Sequence, residues 1–235
     1  MTPDEKIKPS FIGKMVRRSR KILGMAGAGV IACGIGSAQA MTLPAPAQDV
    51  PLAAHATEQT IVLAGGCFWG VQAVFQHLKG VRAAVSGYAG GTAETAKYDI
   101  VSGGNTGHAE SVQVTYDASQ ITLGKILQVF FSVAHNPTEL NYQGPDQGTQ
   151  YRSAIFYATP GQKDIAEKYI AQLNAAKVFA NPIVTKLEAL GPFYPAEAYH
   201  QNYARENPYN PYIMINDAPK VRALAAEFPD LFIKP

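Results

Sequence analysis

An apolar run that ends in two glycines and a cysteine and passes directly into a helical pattern is the strongest local signal in this chain. Residues 60–65 are typical of a buried strand, and beyond Cys67 the apolar side chains at 71, 74, 75 and 78 recur with the spacing of an amphipathic helix. The pattern predicts a strand, a tight turn and a helix, with Cys67 at the junction. Because unpaired backbone N–H groups and the positive end of the helix dipole meet there, we expect its thiol to ionise more readily than a free thiol.

The hexapeptide Gly65-Gly66-Cys67-Phe68-Trp69-Gly70 also allows a simpler interpretation. A single Cys is most often a small buried hydrophobic residue, and Phe68 and Trp69 would most often belong to the core. Two adjacent aromatic side chains cannot both face the same core, however, and paired glycines before a Cys indicate close approach by another group. We therefore predict that Cys67 is a nucleophile and that Phe68 and Trp69 form an apolar pocket beside it.

Residues 1–40 are predicted to be a signal peptide. Basic residues between 14 and 21, an apolar stretch over 22–32 and an A-x-A cleavage site at 38–40 follow one another in the expected order. An uncleaved anchor is one alternative, although the apolar stretch is short for a membrane span and rich in Gly. Lipidation at Cys33 is another, because residues 30–33 resemble a lipobox. Each alternative predicts an exported protein of the periplasm or cell envelope.

Removal of this segment changes both the charge and the cysteine count. The chain has 20 Lys/Arg and 18 Asp/Glu for a net charge of +2, but residues 1–40 hold seven of the basic and two of the acidic side chains. The remainder carries 13 basic and 16 acidic residues, so no basic excess is left to favour nucleic acid. Of the two cysteines, Cys33 lies in the segment, which leaves Cys67 without a partner for an internal disulfide.

Residues 41–58 are rich in Pro and Ala and predict a flexible N-terminus, which leaves residues 59–235 for one folded domain. Strands and helices mix there without regular βαβ alternation. The order predicts an α+β fold, a two-layer α/β sandwich with a ferredoxin-like core in which helices cover a mixed sheet, followed from Gly191 by a long irregular C-terminal coil. Besides the elements around Cys67, the predicted strands are 81–88, 109–116, 152–157 and 183–187, and the predicted helices are 123–135, 160–174 and a short one near 221–227.

Four polar residues in or beside Gly-containing segments could serve Cys67. Glu110 begins a strand with apolar alternate positions, so we expect its side chain to turn inward, where burial would raise its pKa and keep a proton on the carboxyl group. The alternative is a solvated carboxylate at the strand edge. Tyr88 and Tyr151 could donate hydrogen bonds to a substrate oxygen, whereas Asp146 in a Gly/Pro loop could equally be a turn residue.

Other chemistries find less support in the sequence. A pair formed by Cys67 and His108 would suggest acyl transfer of the papain type, but none of the five His residues shares a hydrolase signature with Cys67. The spacing of Cys and His does not match a zinc site, so we predict no metal. No P-loop pattern occurs in the Gly-rich segments. A peptide-binding module without turnover remains the non-enzymatic alternative.

Four blocks stand in order along the chain: Gly65–Gly70, Gly87-Tyr88, Gly107–Glu110 and Gly148–Ser153. Together they resemble the signature of the peptide methionine sulfoxide reductase A family. The resemblance runs from about residue 60 to residue 216. It implies an oxidoreductase that reduces methionine S-sulfoxide, free or in oxidised proteins and peptides, to methionine, as protein repair after oxidative damage.

The resemblance also implies a role for each candidate residue. Cys67 would attack the sulfoxide sulfur and become a sulfenic acid, and Glu110 would protonate the oxygen. Tyr88 and Tyr151 would donate hydrogen bonds to the sulfoxide oxygen, and Asp146 would support this arrangement. Phe68 and Trp69 would hold the methyl group of the substrate.

One departure from the family pattern concerns recycling. Many relatives carry further cysteines near the C-terminus that attack the sulfenic acid, whereas residues 207–214 contain none. We therefore expect an external reductant, either a thioredoxin-like protein or a small thiol, and no bound cofactor. The protein is expected to be a monomer.

Overall fold

The computed structural model describes residues 43–234, so the predicted signal peptide and Cys33 lie outside the described residues. The strands are β1 (Glu58–Gly65), β2 (Val81–Ala89), β3 (Ala109–Asp117), β4 (Tyr142–Gln143), β5 (Asp146–Gln147), β6 (Ser153–Tyr157), β7 (Lys186–Ala189) and β8 (Phe193–Pro195). The α-helices are α1 (Phe68–Gln76), α2 (Tyr98–Val101), α3 (Leu123–Val129), α4 (Pro160–Ala175), α5 (Tyr203–Glu206) and α6 (Ala218–Glu227). None of the helices described is both long and apolar enough to span a bilayer.

The main sheet confirms the predicted fold class. Its strand order is β7-β6-β1-β3-β2-β8, and β1 pairs antiparallel with both β3 and β6. With α1 between β1 and β2 and α3 between β3 and β6, the four inner strands follow the βαββαβ order of a ferredoxin-like core. The sheet is mixed because α4 carries the chain from β6 to a parallel β7.

Strand β1 is buried on both faces because it lies between two hydrophobic clusters. Ile61 and Leu63 belong to the main core, which the helices cover, whereas Val62 and Ala64 belong to a smaller cluster on the other face that includes Phe156. This explains why residues 60–65 read as a continuous apolar run rather than an alternating one.

The two longer predicted helices begin where their capping residues indicate. The Thr122 hydroxyl accepts a hydrogen bond from Lys125 N at the start of α3, and the Thr159 hydroxyl accepts one from Gln162 N at the start of α4. The first of these helices is not a single α-helix to residue 135, because a π turn replaces it over Phe130–Ala134.

The prediction of a strand at 183–187 is wrong in its bounds. The backbone N–H of Val184 donates to the carbonyl of Pro137 at 2.9 Å, so this part of the chain bonds to a loop. Pairing with β6 begins only at Lys186 and ends at Ala189. The pattern was ambiguous because an apolar pair in extended chain has the same periodicity whether its partner is a strand or a loop.

Residues 43–57, for which the sequence predicts flexibility, form no helix or strand and lie against α3 and α4. The Tyr169 hydroxyl donates to the carbonyl of Pro44 at 2.7 Å, and Ala47 N donates to the Gln172 side chain at 2.7 Å. Asp49 accepts a hydrogen bond from Gly124 N at 2.9 Å in the first turn of α3. In the structure the segment is therefore attached to the domain.

The tail from residue 191 is coil interrupted by short elements, and it is more than a surface wrap. Strand β8 extends the sheet beside β2, and Leu224 of α6 is fully buried in the main core. His200 and Asp217, also from the tail, are 2% and 0% exposed. Burial of two ionisable side chains next to α1 makes the tail part of the candidate site.

Candidate active site

Cys67 lies at the junction of β1 and α1, where the sequence predicts it, and is the N-cap residue of α1. Gly66 has a φ of +88°, and a Cβ at this position would lie 2.7 Å from the Gln143 side chain. A Cβ on Gly65 would lie 2.8 Å from the His135 ring. The close approach that the paired glycines indicate is therefore made by the protein's own side chains, which pack against the turn that presents Cys67.

The expectation that the Cys67 thiol ionises readily is wrong for the protein without substrate. Burial raises the pKa of this thiol well above its usual value, and the charges of Glu110 and Asp217 raise it further. The hydrogen bond from the Trp69 backbone and the charge of Lys220 lower it by less. The backbone at the helix terminus does favour the thiolate, but desolvation of a side chain that is 8% exposed outweighs it.

Glu110 turns inward as the strand pattern predicts and is 2% exposed. It stands opposite Tyr88 in the register of β2 and β3, and its Oε2 accepts a hydrogen bond of 3.1 Å from the backbone N–H of Phe68. Burial raises the pKa of Glu110 to about 8, although the Phe68 N–H acts in the opposite direction. The carboxyl group therefore holds its proton at neutral pH. Its hydrogen bond to Phe68 places it against the residue that directly follows Cys67.

Tyr88 does not present a free hydroxyl. Its ring is fully buried, and its hydroxyl donates to Glu197 Oε2 at 2.8 Å. The other carboxylate oxygen of Glu197 accepts from the backbone N–H of Tyr98 at 3.0 Å. Glu197 thus connects β2 to the start of α2, and the Tyr88 hydroxyl is used in that connection.

Tyr98 and Tyr151 are two tyrosines whose phenol pKa values are affected by both Cys67 and Glu110. Burial raises the pKa of each phenol, and the charges of Glu110 and Cys67 raise both pKa values further. The pKa of the Tyr88 phenol is raised by burial, by Glu197 and by Glu110. Both Tyr98 and Tyr151 are partly exposed, whereas the Tyr88 ring is fully buried.

Asp146, from the β4–β5 hairpin, lies at the same site. Its Oδ2 accepts a hydrogen bond from the Tyr212 hydroxyl, which comes from the tail. Burial raises the pKa of Asp146, and its negative charge contributes to the raised pKa of Glu110. Asp146 therefore helps to keep Glu110 protonated and joins the hairpin to the tail.

Phe68 and Trp69 have different surroundings. Phe68 is 1% exposed and belongs to the main core, so only Trp69 of the two offers surface to a ligand. The Trp69 ring stacks on Tyr203, with centroids 3.9 Å apart, and meets Tyr212 edge-on at 5.9 Å. Its Nε1–H donates to His200 Nδ1 at 3.2 Å. Tail residues thus fix the orientation of the indole.

His108 takes no part in this cluster. Its Nδ1 accepts a hydrogen bond from Gly91 N at 3.2 Å, and its Nε2 donates to the carbonyl of Thr92 at 3.0 Å. Both ring nitrogens are therefore occupied by the backbone after β2. A Cys–His pair of the papain type does not form with Cys67.

A protonated carboxyl group beside a buried thiol, with phenols around both, suits transfer of an oxygen atom to sulfur. A family model described as peptide methionine sulfoxide reductase matches residues 59–230. The chain belongs to this family.

Relatives with this activity cover most of the chain. The peptide methionine sulfoxide reductase MsrA 2 of Mesorhizobium japonicum is 59% identical over 174 residues, which are 74% of this chain and 89% of the relative. The MsrA 2 of Synechocystis is 47% identical over 191 residues, 80% of this chain and 89% of the relative. The chain is a peptide methionine sulfoxide reductase, an oxidoreductase that acts on methionine sulfoxide.

Two solved structures support the fold. Reduced Mxr1 from Saccharomyces cerevisiae is similar with a TM-score of 0.59 at 34% identity, over 70% of this chain and 92% of that one. Methionine sulfoxide reductase A of Corynebacterium diphtheriae gives a TM-score of 0.56 at 36% identity, over 68% of this chain and 80% of that one.

Sequence reasoning missed five residues of the reductase site. They come from the 92–104 loop and the tail, where short elements and Pro, Tyr and Asn gave no periodic signal. The one available indication was the pairing of acidic and aromatic residues in the tail, which is unusual for a solvated coil. The missed residues are Tyr98, Glu197, His200, Tyr212 and Asp217.

Within residues 43–234, Cys67 is the one free cysteine, and no group of three or more His, Cys, Asp or Glu side chains is arranged to hold a metal ion. Cys67 is therefore the one thiol in the part of the chain that the structure describes.

Proposed function

We propose that this reductase acts on the S epimer of methionine sulfoxide, free and in oxidised proteins, with Cys67 as nucleophile and Glu110 as general acid. The observation that carries the proposal is the meeting of these two groups at the first turn of α1. Glu110 is bound to Phe68 N, the residue after Cys67, and its raised pKa supplies a proton at neutral pH.

The chemistry balances with these two groups alone. Cys67 sulfur attacks the sulfoxide sulfur while Glu110 gives a proton to the oxygen, and the thiol proton returns to the Glu110 carboxylate. The S–O bond of the substrate breaks, an S–O bond forms on Cys67, and methionine leaves. The substrate sulfur gains the two electrons that the Cys67 sulfur loses, so Cys67 becomes a sulfenic acid.

We assign the oxygen-binding phenols to Tyr98 and Tyr151. Besides burial, the charges of Glu110 and Cys67 raise the pKa of both phenols, which supports a position of each phenol near the two reactive groups. A hydrogen bond from a phenol to the sulfoxide oxygen would stabilise the charge that develops there. Tyr88, for which the sequence predicts this role, instead supports Tyr98 through Glu197.

An external thiol completes the cycle. The first thiol attacks the sulfenic acid of Cys67, which releases water and leaves a mixed disulfide, and a second thiol resolves that disulfide and restores Cys67. The support for an external reductant is that Cys67 is the one cysteine within residues 43–234. A thioredoxin-like dithiol or a small thiol would satisfy this chemistry.

The separate S and R epimers of a methionine sulfoxide peptide, each with dithiothreitol, test reaction and stereochemistry together. We expect turnover with the S epimer only. Cys67→Ser is expected to abolish it, and dimedone is expected to label Cys67 after one turnover without reductant. Full activity of Cys67→Ser, or an intramolecular disulfide after that turnover, would contradict the proposal.

The two rival functions predict different products. A hydrolase would show a burst of acyl-enzyme with ester substrates, but both His108 nitrogens are bound to the backbone. A peptide-binding module would bind equally well as Cys67→Ser and convert nothing. Neither has a feature of the site in its favour.

We also propose that the protein is exported. The basic, apolar and A-x-A segments within residues 1–40 support cleavage after Ala40, and the lipobox-like residues before Cys33 support lipidation as the alternative. Intact mass of the protein from the cell envelope distinguishes the two. Export would be contradicted by an uncleaved chain in the cytoplasmic fraction.

A further inference from the structure

A partly buried ion pair lies against the first turn of α1. Lys220 Nζ is 3.1 Å from Asp217 Oδ1, with the two side chains 21% and 0% exposed. Asp217 precedes α6, and Lys220 is in its first turn. The pair therefore comes from the tail, which the sequence presents only as coil and a short helix.

Gly70 makes this approach possible. It is the third residue of α1, whose N-cap is Cys67, and a Cβ added to it would lie 2.7 Å from Lys220 Nζ and closer still to Asp217 Oδ1. Any side chain at position 70 would displace the pair. The absence of one brings an ammonium group against the turn that carries the thiol.

The other charges around Cys67 have the opposite sign. The Cys67 thiol has a pKa raised by burial and then by Glu110 and Asp217, and Lys220 is the cation among the described residues that lowers it. Lys220 also opposes the raised pKa of Asp146. Other ionisable groups face this cluster from β3, β5, α2, the 149–151 turn and the tail. They are Glu110, Asp146, Tyr98, Tyr151, Tyr212 and Asp217. The His135 ring lies beside Gly65, at the start of the same turn.

The pair is poorly arranged for stability alone. Asp217 Oδ2 is buried and has no hydrogen-bond partner among the described residues. A buried ion pair with an unsatisfied oxygen is often no more stabilising than an apolar pair of the same size. Its position beside the thiol offers a different reason for keeping it.

We propose that Lys220, held by Asp217 in the space that Gly70 leaves open, is a positioning residue that supplies the positive charge for the Cys67 thiolate as it attacks the sulfoxide. The proposal rests on the function proposed for Cys67. Negative charge appears on sulfur as the thiol proton leaves, and in a buried site lined by carboxyl groups a nearby cation adds to the stabilisation that the Trp69 backbone N–H gives.

The test is the pH dependence of Cys67 alkylation by iodoacetamide, measured without sulfoxide. Peptide mass spectrometry separates the Cys67 adduct from any at Cys33. We expect Lys220→Met to move the midpoint upward by about one pH unit or more, the usual effect of losing an opposite charge nearby. Lys220→Arg keeps the charge and should restore most of the shift. A midpoint unchanged in Lys220→Met would overturn the proposal.

Two further variants keep the test decisive. Lys168→Met removes an equally paired lysine, 2.8 Å from Asp164 on the exposed face of α4, and should leave the midpoint unchanged. Lys220→Gln removes the charge but keeps a polar group beside Asp217, and should move the midpoint in the same direction as Lys220→Met. If Lys220→Met fails to fold, an unchanged midpoint in Lys220→Gln would overturn the proposal.

Turnover separates this proposal from the proposed function. We expect single-turnover reduction by Lys220→Met to be at least tenfold slower than that by the wild type at pH 7, and the ratio of the two rates to narrow as the pH approaches the pKa of the thiol. A wild-type protein that does not reduce sulfoxide would refute the function itself. A wild-type protein that reduces it, with Lys220→Met equally fast at pH 7, would refute only the role of Lys220.

Discussion

The backbone N–H of Phe68 donates to Glu110 Oε2 over 3.1 Å, which ties the acid of β3 to the first residue of α1. One carboxyl oxygen is thereby occupied, and the other is left to carry the proton. Because Cys67 immediately precedes Phe68, this bond sets the thiol and the acid at a fixed separation.

Replacing Glu110 by Gln keeps the acceptor for Phe68 N but removes the transferable proton. We expect the single-turnover rate at pH 7 to fall by roughly 10²-fold or more, the usual scale of general acid catalysis. In the wild type the acid form disappears as the pH rises through about 8, so its rate should fall there. Stopped-flow measurement of methionine formation from pH 6 to pH 10 checks both points. An equal rate in the variant would remove Glu110 from the mechanism.

The same substitution should change stability in a pH-dependent way. The folded state holds the Glu110 proton up to a pKa of about 8, whereas the ordinary value is 4.5, so the unfolded state releases it first. The wild type therefore loses stability as the pH rises from 5 to 8, by roughly 3 kcal/mol from this group. Glu110→Gln should be free of that loss. Urea unfolding at the two pH values measures it, and the control Glu167→Gln, at an exposed position, keeps Glu110 and should lose stability between these pH values as the wild type does.

The tyrosine assignments separate by variant. Tyr98→Phe and Tyr151→Phe should each slow reduction by roughly 10²-fold, the cost of losing one donor to developing charge. Tyr88→Phe leaves Glu197 Oε2 without its buried partner and should cost about 1–2 kcal/mol of stability with a smaller effect on rate. Thermal unfolding and single-turnover rates measured on the same three variants make the comparison. Equal rate losses for Tyr88→Phe and Tyr98→Phe would favour a role for Tyr88 in binding the substrate oxygen.

The turn before Cys67 should tolerate no side chain. Gly66→Ala places a Cβ at a φ of +88° and 2.7 Å from Gln143, so we expect a loss of more than about 2 kcal/mol together with reduced activity. Gly144→Ala is the matched control, because its φ is +53° and no atom lies within 4 Å of the added Cβ. It should cost about 1 kcal/mol and leave activity intact. Equal losses in the two variants would show that the contact with Gln143 is unimportant.

Local patterns predicted the parts of the fold that depend on neighbours in sequence. The apolar run of β1 and the amphipathic pattern of α1 act within a few residues, and their elements begin close to where expected. The strand predicted at 183–187 was misplaced because its register depends on β6, a partner that no local pattern specifies.

The candidate site shows the same difference between features set by local sequence and features set by long-range packing. The positions of Cys67 and Glu110 follow from the strand and helix patterns that carry them, and the sequence alone predicted these two residues as a reactive pair. Their protonation, the use of the Tyr88 hydroxyl in a hydrogen bond to Glu197, and the approach of Lys220 to Gly70 were decided only by the tertiary structure. Desolvation and charge pairing depend on which distant segments close over the turn, and that is a property of packing rather than of sequence spacing.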